Sequence, residues 1–184
     1  NCSLSENSAP YGDGGGLNII DFNSTKIENT FFIENSALRA GAVSLLEGAE
    51  DCNINDCVVR KNTATYDIGG GIWAQNFAGD ILNTTFDENK VEGQGGSGGG
   101  LSIYGNSPLV RNCLFVKNRA ARSGGALTCA AYAEDVQIIN GTFAENIADE
   151  GKGSGVYCSE DSTADIINSI FSDLNGYAIY EDSN

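Results

Sequence analysis

The chain reads as an all-β protein, a single-stranded parallel β-solenoid of about 6–7 turns with about 28 residues in each. Three observations carry that reading. A large apolar residue returns at a near-constant interval, as Leu4, Phe32, Val59, Phe86, Phe115, Phe143 and Phe171. Three positions after it stands an asparagine, as Asn7, Asn35, Asn62, Asn89, Asn118 and Asn146, and only Leu174 departs from the series. No stretch sustains a helical hydrophobic period, whereas short apolar runs separated by Asn, Gly and charged residues recur throughout.

The stretch Asn112 to Cys129, NCLFVKNRAARSGGALTC, shows the unit most clearly. Its elements can be taken in order. Five residues before the anchor comes an apolar position: Ile27, Ile54, Ile81, Val110, Ile138 and Ile166. Three before the anchor comes a turn residue: Asn1, Asn29, Asp56, Asn83, Asn112, Asn140 and Asn168. Five after the anchor comes a small one: Ala9, Ala37, Ala64, Val91, Ala120 and Ala148. A glycine-rich turn then leads to Leu17, Val43, Ile72, Leu101, Leu127, Val156 and Ile179. One such unit cannot bury its apolar face alone, so the units must stack. Parallel strands of successive turns lie about 4.8 Å apart, and like residues then form columns. The asparagine column is expected to hold left-handed turn backbone and to pass amide hydrogen bonds from turn to turn. It also gives buried turn backbone its partners.

The tetrapeptides FIEN (Phe32 to Asn35), FDEN (Phe86 to Asn89), FVKN (Phe115 to Asn118) and FAEN (Phe143 to Asn146) share an FxxN pattern. GGAL (Gly124 to Leu127) fits a GGA[ILV] pattern, and GGGI (Gly69 to Ile72) and GGGL (Gly98 to Leu101) come close. Together these motifs resemble the repeats of the chlamydial polymorphic membrane proteins and related extracellular β-helix proteins. The resemblance spans nearly the whole chain. It implies a right-handed single-stranded parallel β-helix, a pectin-lyase-like solenoid, that serves as a surface stalk or adhesin. An autotransporter barrel and a signal peptide, which the bacterial secretion route would add, are not in the sequence.

Composition narrows the partners. The net charge of −15 argues against nucleic acid and suits a solvated extracellular surface. Histidine, the commonest general base and metal ligand, is absent. No apolar run is long enough to span a membrane, so no direct membrane insertion is expected. There is no methionine and no evident polar cap. Residues 1–184 are accordingly read as one β-helix segment of a longer chain or filament. Its partners are expected to be copies or adjoining turns packed end to end, and glycans or cell-surface proteins of a host.

Six cysteines are present. Cys129 and Cys158 share a column in adjacent turns, at a separation a disulfide accepts. Cys52 and Cys57 lie close around a turn and form a second candidate pair. Cys2, Cys57 and Cys113 share an inward column with Thr30, Thr84, Gly141 and Ser169, about two rungs from one another, too far to bond.

Other features are weighed singly. Trp73 should point outward between Ser44 and Ser102, as a platform for sugar rings or as cover for a loop. The glycine-rich stretch Lys90 to Gly100 lacks the Gly-Lys-Ser/Thr ending of a phosphate loop and reads as a solenoid excursion. Two residues past the anchor, Glu6, Glu34, Lys61, Glu88, Lys117, Glu145 and Asp173 alternate in sign from Glu34 to Glu145, which predicts an external ladder of ion pairs. Each such pair is worth about 0.2–1 kcal/mol. Sequons begin at Asn1, Asn23, Asn83 and Asn140 and mark candidate glycosylation sites if they face outward.

Right-handed β-helices also host polysaccharide lyases and glycosidases, which need a carboxylate pair at set separation. Asp56, Asp80, Asp87 and Glu88, with Arg60, are the candidates, but they are scattered among turns. Calcium is the one cofactor the acids suggest, although no EF-hand spacing occurs; no other cofactor is implied. No outward column is all threonine, which removes ice binding. The sequence thus favours a non-catalytic, extracellular structural or adhesive module. A carbohydrate-active enzyme or a glycan-binding module is the alternative.

Overall fold

In the computed structural model, which describes residues 1–22, 24–48 and 53–182, the chain winds into a coil with four parallel faces. The first sheet has seven strands, Cys2–Ser5, Thr30–Ile33, Val58–Arg60, Thr85–Asp87, Leu114–Val116, Thr142–Ala144 and Ile170–Ser172. The second has six, from Ser8–Asp13 to Ile147–Ala148, and the third has seven, from Leu17–Phe22 to Ile179–Glu181. The fourth has six, from Lys26–Glu28 to Ala164–Ile167. Each strand pairs with the strand one turn away, and no helix occurs among the described residues.

The registers realise the predicted columns. Leu4, Phe32, Val59, Phe86, Phe115, Phe143 and Phe171 are successive Cα partners. So are the isoleucine series from Ile27 to Ile166 and the alanine series from Ala9 to Ala148. The rings of Phe86, Phe115, Phe143 and Phe171 are parallel within 4°, with centroids 4.6–4.9 Å apart. That spacing is the strand spacing itself, so ring stacking and backbone pairing reinforce one register. The Phe and Ile columns, together with the Val43, Ile72, Leu101, Leu127 and Val156 positions of the third sheet, form one continuous core.

Corners are made by left-handed backbone. Every described strand of the first sheet is followed by a residue at positive φ: Glu6, Glu34, Lys61, Glu88, Lys117, Glu145 and Asp173. All but the first are also preceded by one: Asn29, Asp56, Asn83, Asn112, Asn140 and Asn168. The expectation that the Asn7-to-Asn146 series takes this conformation is therefore corrected. The left-handed residue is its predecessor, which leaves each of these asparagines free to turn inward. At the corner before the third sheet, glycine is required by space. A Cβ on Gly70 would lie 2.3 Å from the Gly99 carbonyl oxygen, and one on Gly99 would lie 2.2 Å from that of Gly125. Successive turns touch there backbone to backbone.

Candidate functional site: two asparagine edges

Two asparagine ladders flank the first sheet. The inner one is buried from Asn35 to Asn146. Each rung's backbone N–H and Nδ2 both donate to the Oδ1 of the asparagine one turn on, at 2.8–3.1 Å from Asn7 through to Asn146. The second N–H of Nδ2 reaches back to a strand carbonyl, as from Asn118 to Phe86 at 2.9 Å. Amide oxygen and amide nitrogen are thus both spent on the chain itself, which is how a polar group can sit in this core.

The outer ladder runs along the opposite corner and is exposed. Nδ2 of Asn168 donates to Asn140, Asn140 to Asn112, Asn112 to Asn83 and Asn83 to Asn55, at 2.7–3.1 Å. Asp56 holds the column position in the third turn, and neighbouring Asn55 supplies the acceptor. The donors here run toward the N-terminus, opposite to the inner ladder. Of the sequon asparagines, Asn1, Asn83 and Asn140 lie on this exposed edge. Asn23 lies outside the described residues. The second ladder was missed in the sequence because Asp56 interrupts it, although its left-handed corner and its asparagine content are legible there.

The cysteines divide by role. Cys57 and Cys113 each donate Sγ–H to the carbonyl two residues back, Asn55 at 3.3 Å and Arg111 at 3.4 Å. Thr30, Thr84 and Ser169 make the same bond with a hydroxyl, to Glu28, Leu82 and Ile167. The thiols are therefore hydroxyl equivalents at a turn, and burial pushes Cys113 up to about 12. Cys57, proposed to bond Cys52, is a free buried thiol, and Cys52 lies outside the described residues. Cys129 and Cys158 are Cα partners as the columns require, but they are free thiols.

Trp73 sits between Ser44 and Ser102 on the outer side of the third sheet. It is not a platform, since only 5% of its surface is exposed. The Arg39 guanidinium lies 5.0 Å above its ring and is itself held by Asp13 at 2.8 and 3.1 Å. Tyr104 meets the ring edge-on. Of the two readings of Trp73, cover for a corner is the one realised. This Asp13–Arg39–Trp73 arrangement spans three turns and has no local sequence signal.

The external ion-pair ladder is corrected as well. Among the described residues, only Lys117 and Glu145 of that column come together, at 3.9 Å. These residues occupy exposed left-handed corners, so their side chains splay into water. The contact that forms well lies past the second-sheet strands, where Arg119 grips both oxygens of Asp149, two residues beyond its own register partner Ile147, at 3.0–3.3 Å. Arg119 and Asp149, with Lys90 and Glu92, line a shallow groove of about 240 Å³. Its cations are already paired, Lys90 to Glu92 at 2.6 Å.

The candidate carboxylates do not assemble into one site. Asp87 faces outward on the first sheet beside Arg60. Desolvation, and then Glu88, raise it above the usual carboxylate range. Asp80 belongs to the fourth sheet, where its backbone N–H donates to Asn53. Asp56 sits at the exposed corner between those sheets and bonds Asn55. Among the described residues, no three acidic or cysteine side chains converge as a metal-ligand set would.

The coil, the parallel registers and the corner chemistry define a right-handed parallel β-solenoid. The model of the family described as "Right handed beta helix region" matches residues 42–184, and the chain belongs to that family. The chain is also 35% identical over 79 residues to "Probable autotransporter YfaL" of Escherichia coli (strain K12). That match covers 40% of this chain and 6% of the relative's length. No solved structure matches it.

Proposed function

We propose that the chain is a non-catalytic, surface-exposed rod of an extracellular protein, of the passenger kind suggested by its autotransporter relative. The likeness of its FxxN and GGA[ILV] motifs to chlamydial polymorphic membrane protein repeats belongs to the same reading. The observation that carries it is the division of labour in the coil. Buried side chains are spent on columns and ladders, while the outer asparagine edge offers accessible sequon sites at Asn83 and Asn140. Glycans attached there would stand two turns apart, about 10 Å, on one edge of a stiff support. An N-linked amide keeps one N–H, and its Oδ1 stays able to accept from the next asparagine of the edge. End-to-end packing against adjoining turns or copies of the chain belongs to the same proposal.

Two measurements test this. Expression through a glycosylating secretory host should give a mass that falls on glycosidase treatment, with sugar mapped to Asn83 and Asn140. Assays on acidic polysaccharides, read by the absorbance of lyase products and by reducing ends, should show no turnover. An unchanged mass would remove the glycan-bearing role, and turnover would replace the rod by the carbohydrate-active alternative.

A further inference from the structure

Cys129 and Cys158 are the only described cysteines in directly apposed positions. They are Cα partners in strands Leu127–Ala130 and Val156–Cys158, both face the core, and they are 0% and 4% exposed. Ile103 lies below Cys129 in the same column, and Glu181 lies above Cys158. Their apposition sets them apart from Cys57 and Cys113, which spend their thiols on turn carbonyls. The remaining cysteines are separated by geometry. Cys2 is a rung below Thr30, and Cys57 is a rung above it. Thr84 likewise stands between Cys57 and Cys113, which puts these pairs about two strand spacings, or about 10 Å, apart. A disulfide needs Cα atoms about 4.4–6.8 Å apart, which one rung satisfies and two rungs do not.

We propose that Cys129 and Cys158 are an inter-turn oxidation site, closing to a disulfide that staples the last turns of the coil together. The oxidant is a low-molecular-weight disulfide such as oxidised glutathione. Cys158, covered from above only by strand Ile179–Glu181, reacts first. Its thiolate attacks one glutathione sulfur, the glutathione S–S bond breaks, and a mixed disulfide forms as one glutathione thiol leaves. The Cys129 thiolate then attacks the Cys158 sulfur and expels the second glutathione. Two electrons pass to glutathione disulfide, and the two thiol protons end on the two glutathione thiols. Closing the bridge draws the Cβ atoms from the rung step of about 4.8 Å to about 3.5–4.5 Å, a local pinch of the third sheet. In the natural protein the oxidation rests on the extracellular reading above; the chemistry itself does not.

The test uses the full chain, purified reduced and then equilibrated with a glutathione redox buffer. Cleavage after Arg122 and Lys152 places Cys129 and Cys158 in separate peptides, 123–152 and 153–184. Expected is one linkage between those two peptides, loss of two titratable thiols, and a melting temperature that rises on oxidation and returns with dithiothreitol. Cys129→Ser and Cys158→Ser should each abolish the linkage, while Cys113→Ser, which keeps its turn bond, should leave it intact. Two remaining thiols at positions 129 and 158, or a linkage through another cysteine while these stay reduced, would overturn the proposal. If either serine variant fails to fold, the peptide map of the unsubstituted chain decides alone. Because the readout is in vitro, a negative result would leave the surface-rod reading standing. Absence of sugar, conversely, would leave this chemistry untouched.

Discussion

Replacing Asn118 by alanine should be among the most damaging single changes in the chain. Asn118 is fully buried in the middle of the inner ladder. Its Oδ1 accepts the backbone N–H of Asn89 at 3.1 Å and that residue's Nδ2 at 3.0 Å. Its Nδ2 donates to the Phe86 carbonyl at 2.9 Å and to Asn146 at 3.0 Å. Truncation leaves the Asn89 N–H without its acceptor and takes a donor from Phe86, at about 1–3 kcal/mol for each buried group left wanting. With the two weakened neighbouring amides, the total comes to roughly 3–5 kcal/mol. Asn7 is the internal control. It is exposed and donates to Asn35, and a backbone N–H survives its truncation, so Asn7→Ala should cost only about 0.5–1 kcal/mol. A gap of about 2.8 kcal/mol is two orders of magnitude in an opening constant. Because solenoid turns open semi-independently, the measurement of choice is native-state hydrogen exchange at the amides of Asn89 and Asn118. Equal protection losses in the two variants, within about 1 kcal/mol, would refute the idea that the ladder bears on stability.

Four further outcomes follow from the same geometry. Phe115→Ala, between two stacked rings, should cost about 3–5 kcal/mol by denaturant unfolding, and Phe115→Leu well under half of that. Gly99→Ala should cost at least about 1–3 kcal/mol, because the new methyl meets the Gly125 carbonyl oxygen at 2.2 Å, whereas Glu88→Gly, at an exposed corner with φ 53°, should leave stability equal or raise it by up to about 1 kcal/mol. Lys117→Glu should move the melting point little, within about 0.5 kcal/mol, since its contact to Glu145 is long and exposed. The buried thiol of Cys113 is raised from an ordinary 9.0 to about 12, so its contribution is complete below pH 9 and is lost as pH climbs through 12. Cys113→Ser keeps the turn bond and should flatten that alkaline decline in a pH series of melting temperatures.

Most of the architecture was legible because a solenoid writes each contact many times. Phe86 and Phe115 are far apart along the chain yet stack at 4.6 Å, and only the repeat interval announces it. The same holds for the Ile and Ala columns and for the placing of Cys129 opposite Cys158 in adjacent turns, though not for a bond between them. What the sequence hid is what occurs once or depends on backbone conformation. Periodicity placed Trp73 outward between two serines, but it could not foresee that Arg39, anchored on Asp13 a turn further down, lies across the ring. Alternating signs at Glu34, Lys61, Glu88, Lys117 and Glu145 suggested contacts, yet their left-handed corners direct the side chains into solvent. The outer edge was half legible: its asparagines were seen as sequon sites, while their mutual hydrogen bonds, bridged past Asp56 by Asn55, were not.

The corners that begin and end each strand of the first sheet have a consequence for how such a surface can change over time. Glu, Lys and Asp all hold the same positive φ after these strands, so the bend is set by the buried columns and the neighbouring asparagine rather than by the residue at the corner. Seven outward positions are therefore released from any duty to the interior. Their chemistry can drift, reverse in sign or be selected by whatever the rod meets outside, while the scaffold that spaces them keeps its shape.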